Sequence, residues 1–357
     1  MELYILNTEL ESIFVLDSYK SIIWTDRYYA YGDFEIYTSA SASILQQVKK
    51  GYYLWNRDSE HVMIVEGVEI QSNPEYGDNI VITGRSLESI LTRRIVWKTT
   101  NINGNLQNGI EKLLRDAIIN PSDAGRKIEN FVFIPSTDPS ITSLTLKKQV
   151  GMGDNLYETI VDVCKSKNIG FKVILFDDRK FAFSLYAGSD RSYDQLANPF
   201  VVFSPKFENI INSNYLDSDK RLKTITLVAG EGEDEARITR SVSIYGGAGT
   251  GLNRREMYTD VRYLRKNNGD TVLSDAEYDA QLEQKGKEDL AKNVTVKTFE
   301  GEADTATMFV YGKDFFMGDV VQVANEYGAE ARSRVTEFIM SQDINGTKAY
   351  PAFTVMT

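Results

Sequence analysis

The sequence predicts a mainly β protein with α/β inserts: two small β-barrels, the second split by an insert. Three observations predict it. Period-2 apolar alternation fills residues 1–97 and returns after Pro205. Residues 98–204 between them carry helical spacing and one hairpin instead. And 20 Tyr and 17 Phe against 7 Pro give the strand-favouring composition of an ordered globular chain, neither fibrous nor disordered. At 357 residues there is material for two or more domains, each with a core.

In residues 1–97, the first barrel, strands are expected at 12–16 and 21–25, joined as a hairpin by the four residues 17–20, and at 32–38, where Phe34 and Ile36 alternate with charge. Residues 52–55 and 62–70 follow. Val62, Ile64, Val68 and Ile70 share one track, interrupted by Glu66, and Asn73-Pro74-Glu75-Tyr76-Gly77-Asp78 supplies the turn into strand 79–83. Gly84 releases the backbone into a short helix, 86–91, and an Arg93-Arg94 pair. About six strands are enough to close a small barrel.

Residues 98–204 read as an α/β insert domain. Leu106, Ile110, Leu113, Leu114 and Ala117 recur at helical spacing until Asn120-Pro121. A second helix starts at Asp154 as N-cap, presents Leu156, Ile160, Val163 and Cys164 on one face, and ends with glycine near Asn168-Ile169-Gly170. Strands 171–176 and 181–186 form a hairpin around the turn 177–180. Residues 205–250 and 294–357 are assigned to the second barrel, with strands at 222–229, 236–245, 294–299, 320–323, 333–340 and 350–355. Residues 251–293 make a small helical insert. Ser274-Asp275-Ala276-Glu277 is a capping box opening a helix to about Lys292, whose sparse apolar positions Tyr278, Leu282 and Leu290 place it on the surface.

Charge and chemistry-bearing residues point away from catalysis. A single cysteine, Cys164, rules out an internal disulfide framework and paired-thiolate zinc. With no basic leader and no apolar run of about 18 residues, assembly in a cytoplasm and no membrane insertion are expected. A net charge of -11 opposes a tight nucleic-acid grip, which needs Lys and Arg to displace counterions. The glycine run 246–251 lacks a phosphate loop's Lys, since Leu252 stands there, and reads as a flexible tip. His61 is the only histidine and no nucleophile is placed beside it. The acidic clusters Asp177-Asp178 and 231–235 lack calcium-loop spacing and read as solvated turns. Among 51 acidic residues nothing selects a pair for glycoside hydrolysis. Arg93-Arg94 and Arg254-Arg255 fit partner contacts and plain solvation equally. No catalytic, cofactor-binding or metal residue is assigned.

The strand, glycine and helix sequence at 80–96, with Arg85-Ser86-Leu87-Glu88-Ser89-Ile90-Leu91-Thr92-Arg93-Arg94-Ile95-Val96, closely resembles the first barrel of siphophage tail-hub proteins of the tail-associated-lysin or prophage endopeptidase-tail type. It is also similar to the baseplate hubs of contractile tails. The C-terminal stretch 314–323, with Ser333-Arg334-Val335-Thr336-Glu337, Asp343-Ile344-Asn345-Gly346 and Pro351-Ala352-Phe353, resembles that family's final hairpins. The resemblance spans nearly the whole chain. It implies two tail-tube-like barrels per subunit and a homotrimeric ring of six barrels, docking a hexameric distal-tail or tail-tube protein on one side and a spike, fibre or receptor-binding protein on the other. It also implies a channel occupied by the tape-measure protein and then by passing DNA, not specifically bound; the net charge leads us to expect an acidic lumen. In such a ring the 86–91 helix is expected to pack on the neighbouring barrel. As the chain reaches Thr357 directly after the second barrel, lytic and adhesive activities are expected in separate proteins. Two rival classes remain open from sequence: a cell-wall polysaccharide or peptidoglycan hydrolase using a carboxylate pair, and a carbohydrate-binding host-adhesion module.

Overall fold

The computed structural model describes residues 1–72, 77–176, 178–243, 246–267, 269, 272–302, 308–328 and 330–356. The first half contains β1 (Leu3–Leu6), β2 (Ser12–Leu16), β3 (Ser21–Arg27), β4 (Asp33–Ser39), α1 (Ala42–Gln47), β5 (Tyr53–Asn56), β6 (Val62–Gln71) and β7 (Asn79–Ser86). Its strands pair in the order β3-β4-β7-β6-β5-β1-β2. The expected 12–16 and 21–25 hairpin is therefore not formed: β2 pairs with β1, and β3 with β4. The short link between them does something else. Laid flat, β2 and β3 would be six inter-strand steps apart, roughly 29 Å, yet the five steps from Leu16 to Ser21 reach roughly 17 Å at most. The sheet must curl until its ends meet. Thr38 Oγ1 donates to Ser18 O at 2.8 Å and Tyr19 OH to Met1 O at 3.0 Å, tying the link to β4 on one side and to the start of β1 on the other.

β6 does not keep one apolar track. A bulge between Val65 and Gly67 puts Glu66 out of register, so Val62 and Ile64 face the insert's core whereas Met63, Val65 and Val68 face the barrel core. Gly84 is there for space, not for a left-handed turn: a Cβ on it would stand 1.8 Å from Ile64 O and 2.7 Å from the Phe34 ring. The 73–76 part of the expected turn lies outside the described residues.

The insert follows: β8 (Thr100–Asn105), α2 (Leu106–Leu114), β9 (Phe131–Ile134), α3 (Pro139–Thr142), β10 (Thr145–Val150), α4 (Leu156–Ser166), β11 (Gly170–Leu175) and β12 (Phe181–Tyr186). β11 and β12 form the expected hairpin, and β9 joins β12 in parallel; Asp177 of its turn lies outside the described residues. α2 runs on through one π-helical stretch, Arg115–Ile119, to Asn120, burying all five of the residues its spacing marked. The cap of α4 is Asn155, whose side chain accepts from the Tyr157 and Glu158 N–H groups; Asp154 instead accepts from Gly151 N. The α4 exit uses Asn168, with φ 56°, in place of glycine. The 3-10 helix Leu87–Arg93 is a core element here: Leu87, Ile90 and Leu91 belong to the insert's cluster and Glu88 and Ser89 are buried too. Residues already buried inside their own chain leave no face for a neighbouring barrel, so the expected assembly role for this helix is withdrawn.

The chain returns through β13 (Val202–Phe203) and β14 (Ile211–Ser218), then makes β15 (Ile225–Ala229), β16 (Thr239–Val242), β17 (Glu256–Asp260) and α5 (Asp275–Ala291), then β18 (Val296–Glu302), β19 (Val320–Ala324), β20 (Glu330–Asp343) and β21 (Gly346–Val355). The strands expected at 222–229 and 236–245 do not join the second barrel: β15 and β16 form a separate sheet with β17. Ile244 and Tyr245 lie outside the described residues, as does Thr357. α5 has the expected capping box, but it is not a surface helix. Besides Tyr278, Leu282 and Leu290 it buries Gln281, Gly286 and Glu288, a face that hydropathy alone does not mark, and Gly286 lets it lie against Val228 and Val242.

The remaining strands run β14-β18-β21-β20, with β19 and β13 beyond, and β20 pairs with β3. Both halves thus share one 13-stranded sheet among the described residues. They share a core as well, in which Trp24, Phe34 and Ile36 pack with Phe203, Phe299, Val335, Phe338 and Phe353.

Candidate functional site

Two places stand out: the outer face of the shared sheet, and a buried joint beneath it. Alternation fixes the outer face. Opposite the buried Ile22, Trp24, Phe34, Ile36, Ile80 and Ile82, the register places Ile23 beside Ser341 and Glu35, Glu35 beside Thr83, and Glu69 beside Val81. Arg27 pairs with Asp33 at 2.7 Å and Glu337 at 3.0 Å, and Arg85 with Glu66 at 2.6 Å. Those arginines are matched, while Glu35, Glu69 and Asp343 add carboxylates to the same face and Lys348, beside Ser341, adds a cation. A shallow depression of about 570 Å³ lies over Asp33, Glu35, Glu66, Thr83 and Arg85.

The joint is centred on Tyr28, fully buried where the first half, the insert and the second half meet. Its backbone N–H donates to Thr336 O at 2.9 Å, and its hydroxyl reaches Asn168 O at 3.3 Å and Tyr186 O at 3.4 Å. Gly318, at φ 90°, lies flat on the ring, where a Cβ would come within 2.3 Å. Arg334 covers the ring at 5.4 Å and donates to Gly318 O at 2.6 Å. Burial pushes the Tyr28 phenol well above its usual range.

Nearby, His61 is buried and pairs through Nδ1 with Glu88 Oε1 at 3.2 Å. Glu88 also accepts from Val173 N at 2.7 Å, joining the 3-10 helix to β11. Asp26 accepts from Trp24 Nε1 and from Ser59 Oγ, both at 2.9 Å. Burial pulls the His61 pKa down, but the Asp26 and Glu88 carboxylates outweigh it and lift it to about 9. Burial raises Asp26; burial also acts to raise Glu88, but the His61 charge and hydrogen bonds lower it on balance. Ser59 donates to Asp26 and not to the imidazole, so Ser59 is not coupled to His61 as a base. A cleft of about 550 Å³ opens beside this cluster, between Glu60, Lys172, Tyr311 and Asp319.

The other sequence-marked residues are held within the chain. Arg94 donates to Arg126 O at 2.9 Å, Arg93 lies 3.8 Å from Glu66, and Arg255 donates to Asp219 O at 2.5 Å beside the Arg254–Glu256 pair. In the glycine run Ala248 O accepts from Thr224 Oγ1 at 2.7 Å, and Leu252 is exposed. Cys164 is buried and its thiol pushed up. Among the described residues no three His, Cys, Asp or Glu side chains are grouped to hold a metal, and no helix is long and apolar enough to cross a membrane. Sequence reasoning missed Asp26, Tyr28, Glu88 and Gly318. A signal was present for Glu88, a lone charge in Leu87-Glu88-Ser89-Ile90-Leu91, but not for Asp26, which is followed at once by Arg27.

Solved structures share this two-half sheet with its inserts. The fold is that of a prophage tail protein from Shewanella oneidensis (prophage MuSo2, 43 kDa; TM-score 0.58, 13% identity, covering 100% of this chain and 98% of that one). It is shared with a tail protein from Neisseria meningitidis MC58 (0.58, 10%, 99% and 96%) and prophage tail protein gp18 from Listeria monocytogenes EGD-e (0.56, 10%, 99% and 94%). The chain belongs to the siphovirus ReqiPepy6 Gp37-like protein family, whose profile matches residues 2–353. No curated protein matches it.

Proposed function

We propose that the chain is the structural hub of a siphophage-type tail and acts without catalysis. Three copies would form a ring in which each contributes two barrel-like units, residues 1–97 and the sheet of β13, β14 and β18–β21, with 98–204 and 225–291 as inserts. The observation that carries this reading is the β3–β20 ladder: it fuses two curled half-sheets into one continuous wall per subunit, so that a threefold ring presents six similar units to a sixfold tube. One face of the wall is core. The other mixes Ile23 and Val81 with matched arginines, the carboxylates Glu35 and Glu69 and the cation Lys348, and would suit the lining of a channel through which tape measure and then DNA pass without being gripped. A tail-tube or distal-tail protein would dock on one rim and a spike, fibre or receptor-binding protein on the other, at the tip of the virion tail.

Native mass spectrometry, alone and with the neighbouring tail protein, tests the reading. The expected result is a species of three times the chain mass, on its own or on addition of the partner. A chain that stays monomeric in both conditions overturns it.

A further inference from the structure

The insert holds a second cleft that the hub reading leaves unused. It has a volume of about 280 Å³, near the lower end for small-molecule sites and sized for a single sugar ring more than for a nucleotide. Its floor is apolar, made by the buried Val96, Leu113 and Ala117. Its wall is Trp97, which is 46% exposed although the Arg126 guanidinium sits over it at 4.2 Å. The rim carries Lys98, Thr100, Asp116, Asn120 and Ser122. The π-helical stretch Arg115–Ile119, closed by Asn120 N donating to Arg115 O at 2.8 Å, widens the helix so that Asp116 and Asn120 fall one wide turn apart, on the same side.

Arg126 is the informative residue. It is 8% exposed, beneath a thin cover formed by the Trp97 ring, and it faces the cleft. Its Nη2–H donates to Ile95 O at 2.7 Å, and among the described residues no carboxylate lies within ion-pairing distance; burial and the neighbouring Arg94 disfavour its charge, and the more distant Asp123 only partly offsets them. A covered guanidinium without a direct ion-pair partner, opening on a cavity, is a site for an anion. The aromatic wall suits the C–H face of a sugar, and the Asp116 carboxylate, Asn120 amide and Ser122 hydroxyl on the rim suit its hydroxyls, with the anionic group directed to Arg126 and away from Asp116. We propose that this cleft binds an anionic sugar, a pyranose bearing a carboxylate or a phosphate, with Trp97 packing on the ring and Arg126 on the charge.

The test is titration of the full chain, 15N-labelled at tryptophan, watching the indole N–H signals of Trp24, Trp55 and Trp97. Probes are N-acetylmuramic acid for the carboxylate source, glucose 6-phosphate for the phosphate source, and N-acetylglucosamine, inorganic phosphate and acetate as controls. A saturable shift of Trp97 alone, at least several-fold tighter for one of the anionic sugars than for every control, supports the site, and which sugar wins identifies the source. Arg126→Gln should weaken binding tenfold or more and Asn120→Ala a few-fold. If Arg126→Gln does not fold, as seen from the buried Trp24 signal, Asn120→Ala and Ser122→Ala, which keep the Trp97 signal, carry the test. No saturable shift, an equal response to N-acetylglucosamine, or an equal response to phosphate or acetate overturns the proposal. None of these outcomes bears on the oligomeric state, so this site and the hub reading fail separately.

Discussion

Tyr28 and His61 tie the parts of the chain together by different physics, and substitution should separate them. At Tyr28 the ring matters more than its hydroxyl, whose two bonds are long, 3.3 and 3.4 Å. Tyr28→Phe should cost about 1 kcal/mol or less. Gly318→Ala adds a Cβ 2.3 Å from that ring at φ 90°, and is expected to cost about 2–4 kcal/mol. Urea unfolding of the two variants checks the order; equal effects would show that the ring and glycine are not tightly packed. His61 contributes by charge. Its folded pKa of about 9 lies above the usual 6.5, so its stabilisation is complete below about pH 6.5 and is lost as pH rises through about 9. Over that window the wild type should lose on the order of 2–3 kcal/mol relative to His61→Gln, which should be less stable at neutral pH and nearly flat. A wild-type curve parallel to that of the variant would mean the imidazole is neutral in the fold. Asp26, raised by burial, acts in the same sense at lower pH, since stability falls as it ionises.

At the scale of elements, α5 sets two effects against each other. Gly286→Ala improves helix propensity by about 1 kcal/mol, but the new Cβ would meet Val242 and Val228 at 2.8–2.9 Å, and both are buried in a small core with little room to yield. Overpacking of about 1–3 kcal/mol is expected to win, loosening β15–β17 and α5 while the shared sheet holds; hydrogen exchange resolves the two regions, and slower exchange in α5 would reverse the conclusion. The same element shows what was legible in sequence. Its start was, because Ser274 and Glu277 cap it through bonds three residues apart. Its buried face was not, because Gln281, Gly286 and Glu288 are buried by tertiary partners, Glu288 through its pair with Lys148 on β10. Strand positions were legible from alternation, as at β4, β11, β12 and β18. Sheet membership was not: β2 and β3 are four residues apart yet lie at opposite ends of a curled half-sheet, and β15 and β16 look locally like barrel strands. Nor could the alternation of β6 reveal that Glu66 reverses it. The candidate site follows the same rule. The scarcity of histidine and cysteine could be counted in the sequence, whereas the Tyr28 joint depends on contacts between residues more than a hundred positions apart.

For the whole molecule the sharpest question is what the polar face of the shared sheet does. Net charge alone only disfavours DNA binding in general; the register now places Glu35, Glu69 and Asp343 on one wall where the arginines are already matched. If that wall lines a channel, its acid excess keeps phosphates sliding, and reversing it should create a grip. Glu35→Lys, Glu69→Lys and Asp343→Lys together add nine positive side chains to a threefold ring. Duplex DNA retention should then appear and fall with salt, the logarithm of affinity dropping by about 0.9 per phosphate engaged for each logarithmic unit of salt. A control with the exposed Glu9, Glu11 and Glu129 changed to Lys makes the same alteration in net charge away from the wall. Because diffuse attraction depends on total charge and a channel grip on where the charge sits, only the wall variant should hold DNA at physiological salt. Equal retention by both variants, or retention by the unaltered ring, would mean that the face is an ordinary solvated surface and that the channel lies elsewhere.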